Sequence, residues 1–288
     1  MIITNKHNLP QAFVKMASED YTFRDKEYRV TSLLKGLRET ILERRHHENI
    51  EVDVSDMIWL LFGRAVHSIL EQQEEAGHEL KEERIRVPIG DYTLSGQFDL
   101  YCGKTHKITD YKTCSTWKII FGDYNDWRQQ LLIYSWMMRQ IGFPVECAEV
   151  VAMMKDHSKM KAKRDVEYPL MPVQVITFDF FDSDFEEIEG WLKGRFELIK
   201  KLEQLPDDEL PLCTEEERFN DGTKFAVKQK GRKRALRVLD SEDEAKWWME
   251  KNKKGDRIEV RPGEDKKCTD YCRVADFCNY AKERGYGG

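Results

Sequence analysis

The chain has 288 residues, of which 40% are hydrophobic and 35% are charged, and its formal net charge is −6 at pH 7. This length predicts about two domains, or one domain with an appendage, and the hydrophobic fraction is sufficient for a core. The overall acidity argues against a protein that coats nucleic acid. It does not exclude DNA as a substrate, because nucleases concentrate acidic groups at a metal site.

No stretch of the sequence approaches the roughly 20 apolar residues of a membrane span, and the first ten residues lack the apolar run of a signal peptide. The cytosol is therefore the expected location. The seven cysteines are more typical of free thiols or metal ligands in such a protein than of a disulfide framework.

The chain begins with a charged, helical lead-in over residues 1–54. A long helix is predicted from Ser55 or Asp56 to Glu71, because apolar residues recur there at helical spacing. Within this helix His67 and Glu71 are four residues apart and share a face. Taken singly, His67 is more typical of a packed core residue, and Glu71 of a solvated helix face.

Short strands are predicted between residues 83 and 112. Asp99 stands near the end of one strand, whereas Asp110 and Lys112 are two apart on the next and point to the same face. Two carboxylates and an ammonium group that converge on one point predict a divalent-metal site suited to phosphodiester hydrolysis. The alternative is an ordinary hairpin with a solvated Asp/Lys pair.

A second strong helix is predicted over residues 124–141, after a linking stretch that contains Trp117 and Phe121. Gln130 and Tyr134 share one face of it. Strands at 147–154 and 174–180 and a further helix from residue 182 to about residue 205 complete an α/β layer with a mixed sheet. The loop over residues 156–165 is charged and carries several lysines.

The character of the chain changes after residue 205, and residues 206–288 are polar with few apolar runs. A hairpin is predicted around residues 230–232. It concentrates five basic side chains, which are Lys228, Lys230, Arg232, Lys233 and Arg234. Such a hairpin can bind a phosphate backbone, although a solvated turn is the common alternative.

Three cysteines near the end of the chain, Cys268, Cys272 and Cys278, have the spacing C-x3-C-x5-C in a segment too polar for a core of its own. This pattern predicts a metal site, for which Cys213 is the candidate fourth ligand. Unliganded thiols are the alternative, but exposed thiols are reactive. Zinc and an iron–sulfur cluster both accept four thiolates, so the spacing does not separate them.

Four of these patterns occur in the order and spacing of a known family. The motifs G-x3-H-x3-E, G-x2-D, D-x-K and Q-x3-Y are matched by Gly63, His67 and Glu71, by Gly96 and Asp99, by Asp110 and Lys112, and by Gln130 and Tyr134. The ordered set, over about residues 55–140, resembles the PD-(D/E)XK nuclease superfamily, and specifically its RecB-like exonucleases. That group includes phage exonucleases and the cysteine-cluster CRISPR adaptation nucleases.

The resemblance implies a restriction-endonuclease-like α/β core over residues 55–205, with a mixed central β-sheet flanked by helices. A cysteine-rich, metal-binding region then follows at residues 206–288. Relatives that bear a cluster carry their first cysteine upstream of the long helix, at the position of Gly36 in this sequence. Either Cys213 takes the place of that cysteine and the site retains a [4Fe-4S] cluster, or the site holds Zn²⁺.

The resemblance also implies roles for the motif residues. The ligands of Mg²⁺ or Mn²⁺ would be His67, Asp99, Asp110 and the backbone carbonyl of Tyr111. A nitrogen ligand favours Mn²⁺. Lys112 would orient or help deprotonate the attacking water, and Gln130 and Tyr134 would position the substrate strand. Glu71 would support the ligands without touching the metal.

The implied activity is that of a Mg²⁺- or Mn²⁺-dependent DNA exonuclease, phage-derived, that acts in recombination or DNA-end processing. DNA ends, single strands included, would be its substrate, with no membrane involved. A recombination or annealing protein as partner and assembly into a homo-oligomer are left open. The alternatives are a non-catalytic DNA-binding module with a structural cysteine metal site, and an endonuclease.

Overall fold

The computed structural model describes residues 1–18, 23–71 and 77–286, and for residues 70 and 71 it describes the backbone only. The chain forms two compact units. The first consists of Met1–Lys35 and His47–Leu205, and the second of Gly36–His46 and Pro206–Gly288. None of the helices in the described ranges combines the length and the apolar character that a membrane crossing requires.

Short strands and helices alternate along the described chain. The strands are β1 (Ile2–Thr4), β2 (Glu27–Arg29), β3 (Glu51–Asp53), β4 (Glu79–Lys81), β5 (Arg84–Ile89), β6 (Tyr92–Gln97), β7 (Leu100–Cys102), β8 (Lys107–Cys114), β9 (Cys147–Met154), β10 (Val173–Asp179), β11 (Lys224–Lys228), β12 (Arg237–Leu239) and β13 (Arg257–Arg261). The helices are α1 (Gln11–Ala17), α2 (Val30–Leu33), α3 (Leu37–Arg45), α4 (Ile58–Glu71), α5 (Thr116–Phe121), α6 (Asn125–Gln140), α7 (Lys159–Ala162), α8 (Asp182–Leu202), α9 (Glu242–Asn252), α10 (Lys266–Asp270) and α11 (Asn279–Glu283).

A five-stranded mixed sheet forms the centre of the first unit, in the order β10-β9-β8-β7-β4. β8 and β9 are parallel, and the other neighbouring pairs are antiparallel. Along β9 buried residues alternate with half-buried ones, as expected when one face of a strand is fully covered. Since β8 is paired on both sides, its polar residues are held in fixed positions. The predicted mixed sheet is confirmed.

A second sheet of the first unit has the order β2-β6-β5. β5 and β6 form an antiparallel hairpin. The turn contains Gly90 at φ 59°, a conformation that glycine adopts without a steric cost. β6 leads directly into Asp99 and β7, so this hairpin carries the chain from the second sheet into the central one.

The two predicted helices of the motif region are present as α4 and α6. α4 begins at Ile58, slightly later than predicted, because Val54–Met57 form a 3-10 turn. Asp53 caps that turn by accepting a hydrogen bond from the backbone nitrogen of Ser55 at 3.0 Å. α6 lies within the predicted range, and the chain leaves it at Gly142, which has φ 91°.

The second unit contains an antiparallel sheet in the order β12-β11-β13. β11 and β12 form the predicted basic hairpin, with Gly231 at φ 83° in its turn. Ser241 caps the next helix, because its Oγ accepts a hydrogen bond from the Glu244 backbone nitrogen at 3.2 Å. Ala226, Val227 and Ala245 are buried where α9 covers the sheet.

Candidate active site

The central strand β8 carries a buried carboxylate paired with a lysine. Lys112 Nζ donates a hydrogen bond to Asp110 Oδ1 at 3.0 Å. Asp110 Oδ2 lies 2.8 Å from the same nitrogen but outside hydrogen-bonding geometry. Burial raises the pKa of Asp110 to about 6, against the opposing attraction of Lys112. The predicted common face of these two residues is therefore confirmed, and their side chains form one ion pair.

Three further polar side chains converge beside β8. One potential ligand atom from each of His67, Glu82 and Asp99 lies within 4.8 Å of the other two. His67 Nδ1 is 3.4 Å from Asp99 Oδ1 and 3.7 Å from Glu82 Oε1. Its Nε2 is 2.9 Å from the carbonyl oxygen of Tyr111. Hydrogen bonds to Asp99 and Glu82 raise the pKa of His67 to about 10, and a metal ion bound to the ring would displace that proton.

Asp99 is positioned by the register of the central sheet. Leu100 on β7 is paired with Thr109 on β8, so the same antiparallel register continues to place Asp99 opposite Asp110. Asp99 Oδ2 accepts a hydrogen bond from the backbone nitrogen of Tyr111 at 2.7 Å. Two carboxylates are thereby held on neighbouring strands, as the sequence predicts.

Glu82 is a site residue that the sequence reasoning missed. It lies between β4 and β5 with φ 49°, and its backbone nitrogen donates to the Asp99 carbonyl oxygen at 3.0 Å. Its Oε2 accepts a hydrogen bond from Gln97 Nε2 at 2.8 Å. The β5–β6 hairpin pairs Arg84 with Gln97, so the same register places Glu82 opposite Asp99. Counting back along the predicted hairpin would have found it.

The Q-x3-Y pair lies on α6, where its spacing predicts it. Gln130 Nε2 donates to Tyr134 Oη at 3.1 Å, and Tyr134 is buried. Burial raises the pKa of Tyr134 and outweighs the opposing effect of the hydrogen bond from Gln130. The Tyr134 ring lies against Gly96, three residues before Asp99, so the pair lies beside the strands that carry the carboxylates. The side chain of Glu71 lies outside the described residues.

Gly96 is required by the ring of Tyr134. A Cβ atom at position 96 would lie 2.7 Å from Tyr134 Cε1, closer than Cβ contacts are found in proteins. We expect Gly96→Ala to lower the free energy of unfolding by about 1–3 kcal/mol, because the ring must shift. Thermal denaturation measures the loss. Gly190→Ala is the matched control, since a Cβ there meets no neighbouring atom within 4 Å. Equal melting temperatures of the two variants would contradict the packing argument.

The donor set near β8 fits a divalent cation. His67, Glu82 and Asp99 place one nitrogen and two carboxylate oxygens within reach of a single ion. Among the side chains that the structure describes, Asp110 Oδ2 is a buried oxygen without a hydrogen-bond donor. Hard oxygen ligands with one nitrogen suit Mg²⁺ or Mn²⁺. The structure thus brings together His67 and Asp99 of the predicted ligands, adds Glu82, and pairs Asp110 with Lys112.

The four predicted cluster cysteines line one cavity in the second unit, and they are Cys213, Cys268, Cys272 and Cys278. A Cβ atom at Gly36 would lie 3.0 Å from Cys213 Sγ. The Cys213 sulfur therefore occupies the space into which a cysteine at position 36 would project. The buried Arg38 side chain donates from Nε to Cys278 Sγ at 3.2 Å.

These thiols are shielded from solvent to different degrees. Burial raises the pKa of Cys213 to about 11 and that of Cys272 to about 12. Both are therefore neutral thiols at pH 7 unless a cation deprotonates them. No three of the four sulfur atoms, all of which are described, lie within 4.8 Å of one another.

The basic hairpin presents most of its cations to solvent. The exposed members are Lys230, Arg232, Lys233 and Arg234. Lys228 differs, because it is half-buried and its Nζ donates to the Lys233 carbonyl oxygen at 3.0 Å and lies 3.6 Å from a Glu259 carboxylate oxygen. Four exposed cations on one turn form a surface to which an anionic backbone can bind.

No curated protein matches the sequence significantly. Among solved structures, the protein SSO0001 shares 14% identity at a TM-score of 0.43, over 65% of this chain and 83% of its own. The alkaline exonuclease LHK-Exo from Laribacter hongkongensis shares 14% identity at a TM-score of 0.38, over 61% of this chain and 89% of its own. A phage-related exonuclease from Haemophilus somnus 129PT shares 10% identity at a TM-score of 0.30, over 67% of this chain and 81% of its own. TM-scores of this size support no inference about function.

The comparison with family models covers nearly the whole chain. The model described as the PD-(D/E)XK nuclease superfamily matches residues 7–279. The matched range contains every motif residue of the site, from Gly63 to Tyr134, and the D-x-K motif lies on the central strand β8. The chain therefore belongs to the PD-(D/E)XK nuclease superfamily.

Proposed function

We propose that the protein is a Mg²⁺- or Mn²⁺-dependent deoxyribonuclease that removes nucleotides from DNA ends. The observation that carries this proposal is the convergence of His67, Glu82 and Asp99 beside the buried Asp110–Lys112 pair. Membership of the nuclease superfamily supports phosphodiester hydrolysis. The exonuclease assignment rests on the RecB-like motif set, in which the His67 and Gln130/Tyr134 patterns accompany the D-x-K motif.

Each part of the site has a distinct role in the proposed reaction. A bound Mg²⁺ or Mn²⁺ ion supplies Lewis-acid activation of water and neutralises negative charge on the phosphate. His67, Glu82 and Asp99 would hold that ion, with Asp110 Oδ2 and the Tyr111 carbonyl oxygen as further donors. Lys112 would orient the attacking water or stabilise the charge that develops on the phosphate.

Two other groups of residues would position the DNA. Gln130 is half-buried and is held by its hydrogen bond to the buried Tyr134, which suits the pair to position the strand that is cut. The exposed cations of the basic hairpin would bind the phosphate backbone, and Lys228 would brace the turn through its own hydrogen bond.

We also propose that the four cysteines of the second unit hold a structural metal centre. Zinc and a [4Fe-4S] cluster both accept four thiolates, and these four cysteines would suit either. Cys213 would supply the ligand that Gly36 lacks, because its sulfur lies in the space next to that glycine.

Recombination or DNA-end processing is the setting that the RecB-like resemblance implies, with a phage origin. An exonuclease that degrades one strand leaves the other unpaired, so a recombination or annealing protein that binds single strands is the expected partner.

The test is digestion of linear duplex DNA labelled at the 5′ or the 3′ end, beside covalently closed circular DNA, after removal of metal and addition of Mn²⁺. We expect mononucleotide release from the linear substrate and no loss of the circle, because an exonuclease needs an end. The label that is released first gives the polarity.

Two results would contradict the proposal. Cleavage of closed circles at the same rate as linear DNA would identify an endonuclease. Binding of DNA without cleavage, with Mg²⁺ and with Mn²⁺, would identify a non-catalytic DNA-binding module.

A further inference from the structure

Two pairs of exposed aromatic side chains lie on the helices next to β8. On α4, Trp59 and Phe62 meet edge to face at 6.3 Å between ring centroids, and Trp59 is 63% exposed. On α5, Trp117 and Phe121 are stacked at 5.6 Å with 25° between their planes, and they are 57% and 75% exposed. Burial of such rings is strongly favourable, so four exposed rings in one region indicate a binding surface.

The aromatic surface on α4 is continuous with the candidate active site. Trp59, Gly63 and His67 are spaced by four residues and share one face of the helix. A Cβ atom at Gly63 would lie 3.7 Å from the side-chain oxygen of Thr113, the residue after Lys112. Eight residues of helix place Trp59 ~12 Å along the axis from His67. The rings therefore begin about two helical turns from the proposed metal ligands.

The two aromatic pairs are joined at the carboxyl end of β8. The backbone nitrogen of Lys155 donates to the Cys114 carbonyl oxygen at 2.9 Å, just before α5 begins. The ammonium group of Lys155 lies 4.2 Å from the centroid of the Trp59 ring. The next residue, Asp156, accepts a hydrogen bond from the Thr116 backbone nitrogen at 2.6 Å. This segment thus connects α4 with the start of α5.

A strongly basic stretch follows from the same point. Residues 155–164 contain a single carboxylate, Asp156, and five cations, all of them exposed, which are Lys155, Lys159, Lys161, Lys163 and Arg164. Asp165 and Glu167 follow this stretch, so the excess of positive charge is confined to residues 155–164, where it can attract an anionic ligand. None of these residues belongs to the basic hairpin of the second unit.

We propose that this surface binds the unpaired strand of the DNA substrate, with bases stacked on the Trp59/Phe62 and Trp117/Phe121 pairs and phosphates bound by residues 155–164. Exposed aromatic faces interleaved with cations are the combination by which proteins bind single strands without sequence preference. The rings alone would suit an apolar protein face, whereas rings interleaved with cations favour a strand that offers both bases and phosphates. The inference rests on the proposed nuclease function and names its substrate as a strand with unpaired bases at the end.

The test compares two probes of equal charge, an oligothymidylate and an abasic oligonucleotide of the same length. Binding is measured by fluorescence anisotropy with the full chain carrying Lys112→Ala, in EDTA, so that the probes stay intact. We expect the thymidylate to bind at least about tenfold more tightly, because only it has bases to stack. Trp117→Ala with Phe121→Ala, and separately Trp59→Ala with Phe62→Ala, should weaken thymidylate binding about tenfold and leave abasic binding unchanged.

Two controls separate the parts of the surface. Trp247→Ala removes an equally exposed tryptophan of the second unit, which also lies beside a lysine, Lys251, and it should change neither affinity. The triple variant Lys159→Ala, Lys161→Ala, Lys163→Ala should weaken the binding of both probes equally. It should also lower the slope of log affinity against log salt by about 0.7 for each phosphate that these lysines no longer neutralise.

Three outcomes would overturn the inference. Equal affinity for both probes would remove the evidence of stacking. An equal loss of affinity for both probes in the aromatic variants would show that the substitutions damage the fold in general. A lower molecular mass of those variants in sedimentation, with probe discrimination intact, would make the surface an interface between copies. Cleavage of linear duplex by the unmodified chain is scored separately, so a failed nuclease proposal and a failed stacking surface give different results.

Discussion

Lys112→Ala is expected to lower the rate of Mn²⁺-dependent DNA cleavage by about 10²–10³-fold, the loss that follows removal of one group that stabilises transition-state charge. Lys112 Nζ is the donor to Asp110 and the only lysine of the D-x-K motif. Removing it takes away the positive charge beside the phosphate and leaves Asp110 without its partner. Cleavage of end-labelled linear DNA measures the effect.

Asp110→Asn tests the same site from the other side of the ion pair. The amide keeps the shape of the side chain but removes its negative charge, and we expect a comparable loss of cleavage. Since loss of one member of a buried pair also destabilises a fold by up to about 3–5 kcal/mol, thermal denaturation must accompany the assay. Activity near that of the unmodified chain in both variants would refute the site.

The matched control for this experiment is Lys107→Ala. Lys107 lies on the same strand and forms an ion pair with Glu149 at 2.7 Å, but it lies five residues before Lys112. We expect this change to leave cleavage within about twofold of the unmodified chain, because residues five apart on a strand point to opposite faces of the sheet. A loss as large as that of Lys112→Ala would show that any break in β8 abolishes activity.

The second large effect is expected at the cysteine centre. Cys213→Ser should lower metal content strongly. Loss of a residue that only hydrogen-bonds a metal ligand lowers metal affinity ~10–100-fold, and loss of a ligand itself should lower it further. Cys272→Ser should do the same and should destabilise the second unit, because a metal that binds only the folded state stabilises that state. Elemental analysis for iron and zinc measures the loss, and visible absorbance distinguishes a cluster from zinc. Cys147→Ser, on β9 of the first unit, is the control and should retain all metal.

A rescue experiment tests the placement of Cys213 directly. Gly36 has φ −58°, so a side chain can be added there without backbone strain. Its Cβ would lie 3.0 Å from the present Cys213 sulfur. We therefore expect Gly36→Cys combined with Cys213→Ser to recover metal that Cys213→Ser alone has lost. Full metal content in Cys213→Ser and in Cys272→Ser would show that these residues are not ligands.

Several features of the site are local enough to be read from spacing. Asp110 and Lys112 alternate correctly on one strand, and Gln130 and Tyr134 are one helical turn apart on α6, so each pair shares a face in any fold that keeps the element. The hydrogen bonds within both pairs agree with this. The turn at Gly90 and the basic hairpin could likewise be predicted, because glycine and the flanking alternation specify them.

Other features depend on distances between elements, which spacing does not contain. The register between β5 and β6 brings Glu82 to Asp99, and the way α4 lies against β8 brings His67 to both. The same packing leaves Trp59 exposed although it lies in an apolar helix that periodicity alone would bury.

The sequence by itself therefore determined the order of the elements, the faces on which the motif residues lie and the family to which they point. The tertiary structure decided which donors meet: Glu82 joins His67 and Asp99, Asp110 pairs with Lys112, and the Cys213 sulfur lies beside Gly36. The physical reason is that side-chain direction follows from the repeat of a single strand or helix. Contact between distant residues follows only from strand register and from how helices pack on the sheet.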